Sequence, residues 1–214
     1  YKPTMINFVK TPTFIPKLFS NYYWNIPNQE KKVFLTFDDG PIPSITPWVL
    51  ETLNKYDAKA SFFCIGDNVN KHPEIYQSII ENGHTVCNHT YNHINGWKNT
   101  KADYIKNVDM CSKVVNSKLF RPPYGQIRNS QAKALIKNGY KIIMWDVLSW
   151  DFSSKFSPEM CLRNVIHNIK PGSIVVFHDN LKAEKNLMYT LPKCLKFLSD
   201  NNYVCSSLNM KLCS

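Results

Sequence analysis

Five times along this chain a short apolar run stops abruptly at a polar, titratable segment. Val33–Phe37 runs into Asp38-Asp39-Gly40-Pro41, and Thr85–Cys87 into Asn88-His89-Thr90-Tyr91-Asn92-His93. Leu119–Phe120 runs into Arg121-Pro122-Pro123-Tyr124-Gly125, and Ile174–Phe177 into His178-Asp179-Asn180. Lys141–Trp145 leads through Asp146 to Trp150-Asp151-Phe152. Runs of this length read as buried strands, and Ala60–Ile65 and Tyr203–Cys205 add two more. Helical patterns separate them at Ile45–Tyr56, Pro73–Asn82, Lys101–Val115, Ser130–Asn138, Pro158–Ile169 and Leu187–Ser199. Proline in the first turn and Gly83 just past the end mark the second of these.

About seven strand-then-helix units at ~25-residue spacing specify parallel β with crossover helices. Such a count in 214 residues predicts a distorted or incomplete (β/α)7-8 barrel, an α/β fold in one domain. No glycine-rich phosphate loop follows any strand, which argues against an open dinucleotide-binding sheet. Residues 1–30, punctuated by Pro3, Pro12, Pro16 and Pro27, read as an extended or short-helical lead-in packed on a domain spanning 31–214. In parallel α/β folds the C-terminal strand ends carry the chemistry, so five polar strand ends would converge on one pocket.

The net charge of +10 is spread over scattered lysines, which reads as a solvated surface. There is no nucleic-acid-binding pattern and no apolar run long enough to span a bilayer. Seven cysteines form no CxxC pair and leave an odd one over. Cys64, Cys87 and Cys205 fall in apolar runs as small hydrophobes, so a reducing compartment and a cytoplasmic location are expected. Residues 1–30 lack the apolar stretch of a signal peptide, and the start at Tyr1 leaves an upstream segment open. A monomer is expected.

Two ionised carboxylates side by side at Asp38 and Asp39 repel unless a cation or another partner relieves them, although Asp-Asp-Gly-Pro alone is commonly just a turn. His89 and His93, four apart, could share one side of a tight loop, and with a carboxylate could complete a metal triad. A lone pair at that spacing is more often a surface feature. Arg121, pinned by two prolines, suits orienting a carboxylate or simply starting a loop. His178 could donate a proton at the pocket mouth, or sit at the core edge bonded to Asp179.

Taken in order, the five strand ends resemble the five motifs of the polysaccharide deacetylases, the family four carbohydrate esterases. The resemblance extends over residues ~33–205. It implies a divalent metal, usually Zn2+ with Co2+ or Ni2+ as alternatives, and removal of acetyl groups from an acetylated oligo- or polysaccharide. Asp39, His89 and His93 would hold the metal. Asp38 would be the base that takes a proton from the attacking water, and Arg121 would orient it. His178 would be the acid, tuned by Asp151. The Tyr124 N–H would help hold the oxyanion, and Phe152 and Val176 would line the acetyl pocket. Leu148 and Phe152 depart from the residues common in the fourth motif. Trp48 or Trp97 could stack on sugar rings or simply pack in the core. An O-acetyl esterase and a non-catalytic glycan or nucleic-acid binder are the alternative functions. An iron oxygenase is disfavoured because its usual His-x-Asp…His order is absent.

Overall fold

The computed structural model describes residues 8–28 and 30–213. Its centre is β1 (Lys32–Asp38), flanked by β2 (Ala60–Cys64) and β7 (Ile174–His178), and every strand pairing is parallel. Outward from β2 lie β3 (Thr85–Asn88), β4 (Leu119–Phe120) and β5 (Lys141–Ile142). Beyond β7 lies β6 (Val147–Leu148), while β8 (Val204–Cys205) pairs with the first residues of β1. The sheet curls into an incomplete (β/α) barrel in a single domain, as the strand–helix alternation predicts.

Strand periodicity sorts the side chains into two layers. Val33, Leu35 and Phe37 join Phe62, Val175 and Phe177 under the outer helices, packed with Leu53, Leu187 and Leu191. Those helices include α2 (Thr46–Asn54) and α8 (Glu184–Asp200). Phe34, Phe63, Cys87 and Ile174 form a separate cluster with Leu208 and Cys213 from the chain's end. Thr36 and Asp38 share the parity of Phe34, so β1 presents them on the face away from the outer helices. All seven cysteines are free, six of them buried.

The two ends of the sheet, β5 and β6, are close in sequence and do not pair with each other. The lead-in bridges that seam. Tyr23 N donates to Ile142 O at 2.8 Å, Met144 N to Tyr23 O at 2.7 Å, and Leu148 N to Val9 O at 2.8 Å. Its short helix α1 spans Phe14–Leu18. The strand expected over Lys141–Trp145 ends at Ile142, because the next two backbone carbonyls accept from the Arg121 guanidinium and Met144 turns to bond Tyr23. Two further elements lack the pattern that would have revealed them. α3 (Gly66–Lys71) buries only Gly66 and Val69, and β6 is two residues long. The remaining helices are α4 (Pro73–Glu81), α5 (Lys101–Ser112), α6 (Asn129–Lys137) and α7 (Pro158–Ile166).

Candidate active site

Register alone places two of the expected groups side by side. Asp38 and His178, the last residues of β1 and β7, are paired neighbours on adjacent parallel strands. His89 follows β3 directly, and Arg121 follows β4. Asp38, His89 and His178 open onto one cleft of about 820 Å³ at the C-terminal end of the sheet, and Arg121 lies buried beneath it.

Asp39, His89 and His93 come together there, each offering one ligand atom within 4.8 Å of the others. Asp39 adopts φ 86° and His93 φ 54°, left-handed conformations that side chains other than glycine seldom take, so the turns are held against a local cost. His89 Nδ1 lies 2.8 Å from the Arg121 carbonyl, which fixes the proton on Nδ1 and leaves the Nε2 lone pair facing the cleft. Nε2 of His89 and of His93 approach Asp39 Oδ1 to 3.5 and 3.1 Å. That oxygen is buried and accepts no hydrogen bond among the described residues. An orphaned carboxylate oxygen facing two imidazole nitrogens is a set of ligand atoms that fits a divalent cation. Burial pushes the Asp39 carboxyl up, but the two imidazoles and the charge of His178 together hold it well below the ordinary range.

Asp38 belongs to a different network. Arg121, fully buried, donates from Nη1 to Asp38 Oδ1 at 2.6 Å and to Thr36 Oγ1 at 2.8 Å. Its Nε and Nη2 donate to the Ile143 and Met144 carbonyls at 3.2 and 3.0 Å, and its Cζ lies 4.0 Å from the Phe63 ring centre. Burial lowers the guanidinium's pKa, and the adjacent Asp38 carboxylate resists that. The neighbouring aspartates thus have separate partners.

The third network presents His178. Asp151 is fully buried and accepts from the His178 backbone N–H at 2.8 Å, with its other oxygen 2.8 Å from Nδ1. Nε2 is left for the cleft. Burial disfavours the imidazolium, yet Asp151, assisted by the charges of Asp39 and Asp38, lifts the pKa to about 9. The alternative partner considered for His178, Asp179, is engaged elsewhere: it accepts from Gly40 N at 3.0 Å and from Thr46 Oγ1 at 2.6 Å. Phe152 packs against the His178 ring with centroids 4.7 Å apart, and Phe152, Val176 and Leu148 line the cleft. Tyr124, at φ 61°, also lines it, its ring 4.7 Å from that of His93.

Neither tryptophan considered for sugar stacking borders the cleft. Trp48 packs against the outer core, and Trp97 donates from its ring nitrogen to Ile127 O at 3.2 Å on the surface. Trp24, Trp145 and Trp150 line the cleft instead. The residues that hold Asp39 were also not singled out from sequence. Asn180 Nδ2 donates to Asp39 Oδ2 at 2.6 Å, and Asn68 Nδ2 to its backbone carbonyl at 2.7 Å. Asn180 leaves Oδ1 as the open ligand atom. Its place directly after His178-Asp179 was the available signal; Asn68 sits in α3, which carries none.

Over residues 25–143 the sequence matches the polysaccharide deacetylase family profile. The chain belongs to the polysaccharide deacetylase family. It is 35% identical over 190 residues to a peptidoglycan-N-acetylglucosamine deacetylase of Bacillus cereus, covering 84% of this chain and 87% of that one. Identity is 29% to a chitooligosaccharide deacetylase of Azorhizobium caulinodans, over 77% of this chain and 81% of that protein. A solved peptidoglycan N-acetylglucosamine deacetylase, complexed with a naphthyl-substituted N-oxidanyl-benzamide, superposes with a TM-score of 0.82 at 30% identity. That match covers 90% of this deacetylase and 94% of the other.

The turn after β1 yields a stability expectation. A Cβ at Gly40 would fall 2.0 Å from Asp179 Oδ2 and 2.6 Å from its Cγ, so Gly40→Ala must displace the buried carboxylate or the turn carrying Asp39. Overpacking of this kind costs roughly 1–3 kcal/mol, and thermal melts should show a fall of several degrees, roughly 2–4 °C per kcal/mol at this chain length. An unchanged melting temperature would mean the turn is looser than the contacts indicate.

Proposed function

We propose that this deacetylase is a divalent-metal-dependent hydrolase that removes N-acetyl groups from amino sugars in an oligo- or polysaccharide. What carries the reading is the arrangement at one strand end: a metal-fitting Asp39–His89–His93 set, with the Arg121-paired Asp38 and the Asp151-paired His178 as register neighbours. The related proteins that act on peptidoglycan N-acetylglucosamine and on chitooligosaccharides support the amide over the ester and N-acetylglucosamine as the sugar.

Asp39, His89 and His93 would hold the ion, and two nitrogens with one oxygen suit Zn2+, Co2+ or Ni2+. When bound, such an ion supplies Lewis acidity, polarising the acetyl carbonyl and making water easier to deprotonate. Asp38 takes that proton, and Arg121 keeps its carboxylate fixed and aimed. His178, its Nδ1 tied to Asp151, donates from Nε2 to the departing nitrogen, because an amine leaves poorly without a proton. The Tyr124 N–H would help to hold the oxyanion. Val176, Leu148 and Phe152 enclose the acetyl methyl group.

The direct experiment is acetate release from N-acetylglucosamine oligomers, peptidoglycan fragments and O-acetylated xylan, with added Zn2+ and with chelator. Release from the first two, abolished by chelator and restored by metal, is expected. Release from xylan alone would favour the esterase.

The raised pKa of His178 also has a sign that can be checked. An imidazolium acid gives activity below its pKa, so kcat/KM should fall as pH rises through the pKa of His178, which Asp151 holds above the ordinary histidine value. Asp151→Asn removes the largest favourable influence and should move that limb down by at least about one pH unit. The same pairing contributes stability that is fully present below about pH 6.5 and is lost as pH rises through about 9. A basic limb that stays in place in Asp151→Asn would remove His178 as its source.

A further inference from the structure

One wall of the catalytic cleft is built by a part of the chain that lies ahead of the family match. Phe8, Thr11, Pro12, Ile15 and Trp24 all line the cleft, and all precede residue 25, where that match begins. The wall is tied down on both sides of the β5–β6 seam. Thr11 N donates to Asp146 O at 2.9 Å, and Thr11 Oγ1 to Trp145 O at 2.7 Å. Trp150 Nε1 donates to Phe8 O at 3.1 Å. Trp150 packs on Phe152 with ring centroids 5.3 Å apart, and Phe152 packs on His178. The lead-in is therefore coupled by direct contacts to the residue assigned as the acid.

The cleft is accordingly two-sided. Carboxylates and imidazoles occupy the catalytic side, while the lead-in contributes Phe8, Pro12, Ile15 and Trp24 beside Trp145. Phe8 remains 46% exposed, a large apolar surface left open to the cleft. A volume of about 820 Å³ is far more than one acetyl group fills and falls in the range that takes a ligand of roughly drug size. A pyranose ring has a face of C–H groups and a polar rim, so it can lie flat on an apolar wall while its rim meets the polar one. A charged peptide or a phosphate gains nothing from that wall.

We propose that the 8–24 segment forms a subsite for a sugar ring adjoining the one that is deacetylated, holding it by its C–H face through Phe8, Pro12 and Ile15. The inference rests on the deacetylase reading, and it makes a chain of linked rings the preferred substrate over a monosaccharide. The test compares wild type, Phe8→Ala and Phe8→Trp on N-acetylglucosamine and its β-1,4-linked tetramer by acetate release. Cellotetraose, which presents the same C–H faces without acetyl groups, gives binding independently of turnover.

Phe8→Ala should raise KM for the tetramer and Kd for cellotetraose by about 3–10-fold, the scale of one aromatic contact. The loss on the monosaccharide should be clearly smaller than on the tetramer, and Phe8→Trp should retain tetramer affinity. Phe8 is largely exposed and its backbone bond is kept, so the melting temperature should hold. Equal effects on monomer and tetramer, or none on either tetramer, would overturn the subsite. If cellotetraose binding weakens as expected while no acetylated sugar releases acetate, the subsite stands and the enzymatic reading fails.

Discussion

Replacing Asp38 with asparagine lowers acetate release by roughly 10²–10⁴-fold and leaves one equivalent of metal bound, because Asp38 is assigned the proton and not the ion. The neighbouring Asp39→Asn loses metal as well, since Asp39 Oδ1 is the orphaned atom that faces His89 and His93. The Asp38 variant carries a second signature. Arg121 is fully buried, and the substitution removes the only carboxylate paired with it in an ion pair among the described residues. Breaking a buried pair costs about 3–5 kcal/mol, softened here by Thr36 and the two backbone carbonyls that still accept from the guanidinium. A lower melting temperature with metal retained is therefore the expected combination. Metal analysis of dialysed protein together with a thermal melt reads both, and equal metal loss in the two variants would show that the aspartates' roles are divided wrongly.

His178→Ala retains metal and loses amide turnover by roughly 10²–10⁴-fold, the usual contribution of a positioned general acid. An activated aryl acetate expels a leaving group that hardly needs a proton, so its loss should be much smaller. The contrast follows from where His178 sits: Asp151 occupies Nδ1 and orients the ring, and Asp38 is its register neighbour across β1 and β7. Because Asp151 also accepts the His178 backbone N–H, the loop should survive loss of the ring. Equal losses on both substrates with a lowered melting temperature would reduce His178 to a structural residue.

The shared location of residues at the strand ends was legible in the sequence. Asp38, Asp39, His89, His93, Arg121 and His178 each follow an apolar run, and strand periodicity with parallel topology sends such positions to one rim. What could not be read depends on contacts between segments distant along the chain. Trp48 and Trp97 were the rings considered for sugar stacking, whereas Trp145 and Trp150 line the cleft, because helix and loop positions do not reveal which ring faces it. Asn68 reaches the Asp39 carbonyl from a helix with almost no apolar periodicity. The lead-in's role in the cleft wall rests on backbone bonds to residues more than a hundred positions away, such as Leu148 N to Val9 O, which leave no local pattern. β6 was hidden for a related reason: its two residues gain strand geometry from β7, not from their own sequence.

Titrating Zn2+ into metal-stripped protein, while following acetate release from an N-acetylglucosamine tetramer, tests the central claim most directly. Activity should begin near zero, rise in proportion to added metal and saturate at about one equivalent per chain, the stoichiometry of a single Asp-His-His site. His89→Ala, treated identically, should bind no tight equivalent and stay inactive. Full acetate release from the stripped protein, or full metal occupancy in His89→Ala, would contradict a metal-dependent deacetylase built on Asp39, His89 and His93.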